Sequence, residues 1–367
     1  MDILDDIVAI KKLDKNHTAS SIKHIPDQCK QAWEETQKLV FPENFSNIKN
    51  ILVAGMGGSA YGIRIVKSLY DKERLMDVPI ELANNYWLPG YTGPNSLVIL
   101  SSYSGSTEET LSAAKQAQRV EAKISGITSG GTLGSFLKSH NYPSYIFDPV
   151  YNPSKQPRIG VGYMVMGLIG ILAKLKKISL PDDEIDKLVA FLRKQSDTLA
   201  LTVAAENNPA KKLAYKLKDK VPVFIVADFL DGAAYAVRNP FHETAKQFAL
   251  YFTVPELNHH LLEGLTFPSG LKKYLFFIFI DSSFYHDRNF KRLQLTREII
   301  KKNHLEADSF SLSASSPLMQ TMEFIEFGAW VSFYLAMLNQ VDPAKIPWVD
   351  YFKKNLKKDS PYEGGLV

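Results

Sequence analysis

Short apolar runs alternate with helix-spaced stretches through the first half of the chain. Ile51-Leu52-Val53-Ala54, Pro79-Ile80-Glu81-Leu82-Ala83, Ser96-Leu97-Val98-Ile99-Leu100, Lys123-Ile124-Ser125-Gly126-Ile127 and Tyr145-Ile146-Phe147 read as buried strands. Tyr61 to Tyr70 and a stretch running through Ala117 read as helices between them. Ser106 and Glu109 have the spacing of a capping box, which places the start of the second helix at Thr107. Short strands separated by helices predict an α/β fold with a doubly wound parallel sheet, whose ligands lie at the carboxyl ends of the strands. Residues 1–45 read as helical, with a break at Ile25-Pro26.

Pro149 to Pro157 carries the chain to a long apolar helix from near Gly160, and a polar break at Ser179 to Asp183 suits a domain junction. Asp182 or Asp183 is placed to cap a helix over Glu184 to Ala200. The alternation then returns more loosely. Val221 to Val226, Ala249 to Phe252, Lys273 to Ile280 and Phe310 to Leu312 are the expected strands. Ala233 to Lys246, Arg288 to Lys302 and Met319 to Leu338 are the expected helices, the last apolar over a broad face and so buried. The resulting plan has a helical segment at 1–45, α/β domains at 46–180 and 181–340, and a C-terminal segment at 341–367.

Composition narrows the function classes. A chain of 367 residues fits two domains, and 45% apolar with 22% charged residues is ordinary for a globular protein. The net charge of +4 is small, and the basic residues are scattered, which argues against nucleic acid as a partner. A single cysteine, Cys29, excludes an intramolecular disulfide. The acidic opening Met1-Asp2-Ile3-Leu4-Asp5-Asp6 is unlike a signal peptide, so a cytoplasmic protein is expected. The apolar stretch from Ile159 to Leu175 is interrupted by Lys174 and falls short of the ~20 residues a bilayer span needs, so no membrane partner is expected.

The chemistry gathers after the first and third strands. Ser101-Ser102-Tyr103-Ser104-Gly105-Ser106-Thr107 joins a strand to a helix start, where backbone N–H groups, the helix dipole and hydroxyls can hold an anion. An ordinary serine-rich βα loop is the plainer alternative. Gly55-Met56-Gly57-Gly58-Ser59-Ala60 can be read as the G-x-G-x-x-A dinucleotide fingerprint. The second strand, however, ends in Asn84-Asn85 where a nicotinamide site wants an acid for the ribose, so a compact phosphate monoester fits better.

Elsewhere the pattern leaves two readings for each candidate. Glu243, near Asn239-Pro240, sits either at a cleft or on a solvated helix face. Arg158 either reaches a buried anion or snorkels. His259 and His260 lack metal-ligand spacing, so no metal site is expected. No G-x-S-x-G elbow and no P-loop lysine occurs in the sequence, which lowers acyl transfer and nucleotide hydrolysis.

Together these pieces resemble the bifunctional phosphoglucose/phosphomannose isomerases, built from two sugar-isomerase (SIS) domains. The landmarks run in order: Gly55 to Ser59, Ser102 to Thr110, Pro157-Arg158 with Gly162-Tyr163, Asn208 to Lys211, Glu243 to Lys246, Glu256 to His259, Asp342-Pro343 and Lys353. The resemblance implies two SIS-type doubly wound αβα domains and an aldose–ketose isomerase without a cofactor. It implies that Gly57, Gly58, Ser59, Ser102, Ser104 and Thr107 bind the sugar phosphate. It further implies Glu243 as the base between C1 and C2 and Arg158 as the group stabilising the enediolate. His259 would assist ring opening from the neighbouring subunit of a homodimer, and Lys353 would lie near the ring oxygen. After Asp342-Pro343 the chain reads Ala344-Lys345-Ile346, without the threonine of dual-specific members, which makes mannose 6-phosphate activity less secure than glucose 6-phosphate activity. A non-catalytic SIS-domain sensor of sugar phosphates is the alternative, but residues 1–45 offer no DNA-reading helix-turn-helix for such a regulator.

Overall fold

The structure is a computed structural model and describes residues 3–70 and 76–356. The residues fall into two units, one made of residues up to Lys23 together with Ala190–Lys345, the other of His24–Val189 together with the chain from Ile346. Helices α1 (Ile7–Leu13) and α2 (Thr18–Lys23) belong with the later unit. A buried cation explains this. The Lys211 ammonium, with no solvent exposure, donates to Asp5 Oδ1 at 2.9 Å, Leu201 O at 3.1 Å and Val203 O at 2.7 Å. Asp5 in turn accepts from Ala205 N at 3.0 Å. An ammonium taken out of water needs this full set of acceptors, and supplying them pins the N-terminal segment in place.

The unit from His24 opens with α3 (Ile25–Thr36); the expected break falls at His24, between α2 and α3, and Pro26 sits in the first turn of the new helix. Then follow β1 (Asn50–Ala54), α4 (Tyr61–Tyr70), β2 (Ile80–Ala83), β3 (Ser96–Ser101), α5 (Glu108–Arg119), β4 (Lys123–Thr128), α6 (Gly131–Ser139), β5 (Ser144–Ile146) and α7 (Val161–Lys174). The strands form one parallel sheet in the order β2-β1-β3-β4-β5. All six residues of β3 are buried, because both faces of the sheet are covered. Leu52, Ala54, Val98, Leu100 and Ile124 pack with α5 and α6 on one face. Strand residues of the other parity meet α7, where Gly167 lets the helix come close to Tyr145 and Ile127. The chain leaves β1 for β2 and returns on the other side as β3, which makes the β1/β3 gap the switch point.

Helix α8 (Asp182–Leu199) runs through the junction. It already contains both aspartates expected to cap it, and Asp183 instead pairs with Lys187 one turn on at 2.8 Å.

The later unit continues with α9 (Pro209–Leu217), β6 (Val221–Ala227), α10 (Asp231–Glu243), β7 (Leu250–Val254), two short helices α11 (Leu261–Gly264) and α12 (Leu271–Tyr274), β8 (Leu275–Asp281), α13 (Asp287–Lys302), β9 (Glu306–Ser311) and α14 (Pro317–Leu338). Its sheet is parallel, in the order β7-β6-β8-β9. The last strand contains Phe310 and Ser311 of the expected Phe310 to Leu312 but begins earlier, at Glu306. It is an edge strand with a half-exposed, charged sequence, and Asp308 and Glu306 bind Lys216 and Lys220. An edge kept polar against unwanted pairing carries no hydrophobic signal to read. Helix α14 is buried on all sides, as its apolar run requires. Beyond Ile346, α15 (Pro347–Leu356) has no buried residue. Among the described residues, no helix is long and apolar enough to cross a membrane.

Candidate functional site

Three turns leave the carboxyl edge of the first sheet, and their backbones lock together. After β1, Gly57 takes φ +51°, a conformation that suits glycine, and Gly58 packs against the backbone of Pro157 and Arg158. After β3, Tyr103 N donates to Ser59 Oγ at 2.9 Å, and Ser101 Oγ donates to Ser59 O at 2.7 Å. Gly105, at φ +69°, lies so close to the β4 turn that a Cβ there would sit 1.8 Å from Gly130 O.

Within the serine loop the hydroxyls pair with one another. Ser102 Oγ lies 2.9 Å from Thr107 Oγ1 and accepts from Gly105 N at 3.1 Å, while Ser104 Oγ lies 3.0 Å from Ser106 Oγ. The expected capping box is not formed. Thr107 itself is the N-cap, α5 starts at Glu108, and the Ser106 hydroxyl is turned to Ser104. The hydroxyls therefore shape the loop and leave the first-turn N–H groups of α5 without intrahelical acceptors. Ser59 and Ser102 are buried, Thr107 is half-buried and Ser104 is exposed. Chemically, such an arrangement can cradle an anion at the helix start, with Ser59 and Ser102 as a frame and Ser104 and Thr107 at its mouth.

The long connection between β5 and α7 brings the backbone of Pro157 and Arg158 to the same place, beside Gly58. Asn152 Nδ2 donates to Tyr103 Oη at 2.7 Å and to Gln156 O at 3.0 Å, and Gly160 packs flat on the Tyr103 ring. Burial pushes the Tyr103 phenol up to about 12, against the opposing effect of its bond from Asn152, so it stays protonated. This frame holds Arg158 at 2% exposure, with Nη1 donating to Gln156 Oε1 at 2.8 Å. A snorkelling side chain would end in solvent, so that alternative is excluded. Tyr103, Asn152 and Gln156 are parts of the site that carry no chemical motif. Tyr103 is visible in the sequence only as a member of the serine loop, and Asn152 and Gln156 only by their place in the connection just before Arg158.

The second unit has no such cradle. At its own switch point, between β6 and β8, Asp228 accepts from His286 N at 2.9 Å and Asn289 Nδ2 at 2.8 Å. A carboxylate there is hostile to an anion.

Glu243 is the last residue of α10, three residues shorter than the helix expected to Lys246. Pro240 lies inside the last turn, and Thr244 N and Ala245 N both return to Pro240 O. His242 Nε2 lies 2.9 Å from Ala249 O and 3.1 Å from Ala249 N, closing the turn that follows; burial, chiefly, lowers the pKa of this imidazole. His259 ends a 3-10 turn after β7 and is exposed.

The order of elements places Glu243 and His259 apart. Helix α10 starts at the carboxyl edge of β6 and runs back, so Glu243 lies towards the amino edge, where β7 begins. His259 follows the carboxyl end of β7, and the five residues of that strand span roughly 17 Å at ~3.3 Å each. Lys353 lies on exposed α15, in the unit that holds the cradle, whereas Glu243 and His259 lie in the other.

Residues 206–356 match the family model of the bacterial phospho-glucose isomerase C-terminal SIS domain. The chain is 31% identical over 339 residues to a bifunctional phosphoglucose/phosphomannose isomerase of Caldicellulosiruptor bescii, covering 92% of this chain and 98% of that one. It is 29% identical to the protein of the same name in Thermoplasma volcanium, covering 83% and 91%. Among solved structures, a glucose-6-phosphate isomerase like protein from Thermus thermophilus shares the fold, with a TM-score of 0.62, 17% identity and coverage of 95% and 100%.

Proposed function

The chain belongs to the bifunctional phosphoglucose/phosphomannose isomerase family of phosphosugar isomerases, and from that membership we propose that it interconverts glucose 6-phosphate and fructose 6-phosphate. Activity on mannose 6-phosphate is the less secure part of this reading, because Ala344-Lys345-Ile346 lacks the threonine of dual-specific relatives. The observation that carries the reading is the interlocked cradle at the β1/β3 switch point, with buried Arg158 packed behind Gly58.

The mechanism follows from what the reaction needs. A C–H beside a carbonyl is a weak acid, so a held carboxylate must take the proton while a cation meets the developing oxyanion. The cradle of Gly57, Gly58, Ser59, Ser102, Ser104 and Thr107 grips the phosphate. Binding energy from that remote group fixes where C1 and C2 lie. Glu243 carries the proton between them, and Arg158 stabilises the enediolate. Lys353 and His259 serve the ring oxygen during opening. The hydrogen moves within the sugar, so no electrons are exchanged with a cofactor.

The spacing of Glu243 and His259 across one sheet supports a homodimer in which His259 is supplied by the second copy. Replacing Glu243 by Gln is expected to lower kcat by at least ~1,000-fold while glucose 6-phosphate still binds in calorimetry. Undiminished turnover in a coupled assay would remove Glu243 from the mechanism. A chain that binds sugar phosphates but converts none of them would instead be a sensor.

A further inference from the structure

The turn after Glu243, residues 244–249, has no regular structure of its own, and side chains from distant parts of the unit hold it in place. Gln247 Nε2 donates to Leu217 O at 2.7 Å, at the end of α9. Asn339, at the end of α14, donates to Ala245 O at 3.1 Å and to Gln247 Oε1 at 3.0 Å. At the centre of the turn Lys246 takes φ +53°, a left-handed conformation that a residue with a Cβ adopts only where its surroundings hold it there. Its ammonium donates to Thr244 O at 3.2 Å, one residue past the end of α10, and also to Asp342 O.

The second of those partners is set apart by where it sits. Asp342 lies in the short passage after α14, and its carboxylate accepts from Ala344 N at 2.9 Å, which fixes the local turn. The chain leaves this unit immediately afterwards, between Lys345 and Ile346, and goes on to the helix that bears Lys353. One side chain thus spans the turn that follows Glu243 and the point where the chain departs.

We propose that Lys246 is a positioning residue that ties the Glu243 turn to the departing segment at Asp342. It touches no reacting atom. By bonding Thr244 O and Asp342 O together it sets where α10 ends, and with it the direction of the Glu243 carboxylate. The catalytic part of this inference rests on the reading of Glu243 as the base; the structural part does not. A general base displaced by about 1 Å loses on the order of 100-fold in rate. Because the tie touches only one side of the turn, a smaller loss is expected.

The test compares Lys246→Met with Lys246→Arg in the full chain. Lys246→Met is expected to lower kcat for glucose 6-phosphate about 10-fold with KM changed less than about 2-fold, as for a lost transition-state alignment. Lys246→Arg, which can still reach two carbonyls, is expected to restore at least half of the activity. Hydrogen exchange read on the same proteins is expected to show faster exchange in Lys246→Met at two separate places, Gln247 N and Ala344 N, with global unfolding unchanged. Exchange unchanged at either place overturns the tie, whatever the activity. Wild-type turnover with normal kcat in Lys246→Met overturns the positioning role. A wild-type chain without isomerase turnover counts against the proposed function, and the exchange measurements still decide the tie.

Discussion

Single residues show how far a hydrophobic pattern can hide a polar fact. Glu326 lies in the middle of α14, fully buried, with neither carboxylate oxygen hydrogen-bonded. Burial raises its pKa well above the ordinary carboxylate value, outweighing the nearby Ser196 and Gln195. The folded state therefore keeps a proton that the unfolded chain gives up, and stability falls as pH rises above the unfolded value near 4.5. Glu326→Gln cannot ionise, so its urea midpoint is expected to decline less than that of the wild type between pH 5 and pH 8. Parallel declines would show that Glu326 is already charged in the fold. Its neighbour Glu323 is also raised by burial, but it accepts from Ser313 N at 3.0 Å and Ala314 N at 2.9 Å, and so anchors the loop before α14. In the sequence the two glutamates look alike, and only their acceptor roles separate them.

At the scale of elements, the strands and their parallel arrangement were largely legible, because strands of a parallel sheet are buried on both faces and their apolar runs are therefore continuous. The misses fall where that reason lapses. Strand β9 is an edge, α10 ends early because of its proline turn, and the hydroxyls of the serine loop bond each other instead of capping α5. The proposed phosphate grip of the loop depends on close backbone approach, which puts weight on Gly105. Gly105→Ala would combine a left-handed φ with a Cβ 1.8 Å from Gly130 O. The conformation alone costs about 1–2 kcal/mol, and the contact adds to it. A lower urea midpoint together with a KM for glucose 6-phosphate raised at least ~10-fold is expected. A variant with unaltered KM would show that the β3 and β4 turns do not shape the phosphate grip.

Across the whole molecule the chain is not divided in simple order, since residues up to Lys23 fold with the later unit and the chain from Ile346 goes with the earlier one. The Lys211 cluster is the physical reason at the N-terminal side. Lys211→Ala leaves Leu201 O and Val203 O without their donor and empties the space of a fully buried side chain, so it should strongly lower the unfolding temperature. The bond from Lys211 chiefly lowers the pKa of Asp5, which is partly exposed. A depressed acid stabilises the fold above its unfolded value near 3.8 and loses that contribution as pH falls through its folded value. Asp5→Asn is accordingly expected to flatten the acid side of the curve of unfolding temperature against pH, most of all below pH 4; an unchanged acid limb would show that the pair contributes little. From the sequence by itself came the parallel α/β plan, the glycine and serine turns at the strand ends and the residue type of each candidate, because these depend on local periodicity, turn chemistry and spacing. Only the tertiary structure decided that Arg158 is buried behind Gly58, that Glu243 and His259 lie towards opposite edges of one sheet, and that Lys246 reaches Asp342. Those are relations between residues far apart in the chain, and they are set by how buried groups find acceptors and how backbones approach, which no local pattern encodes.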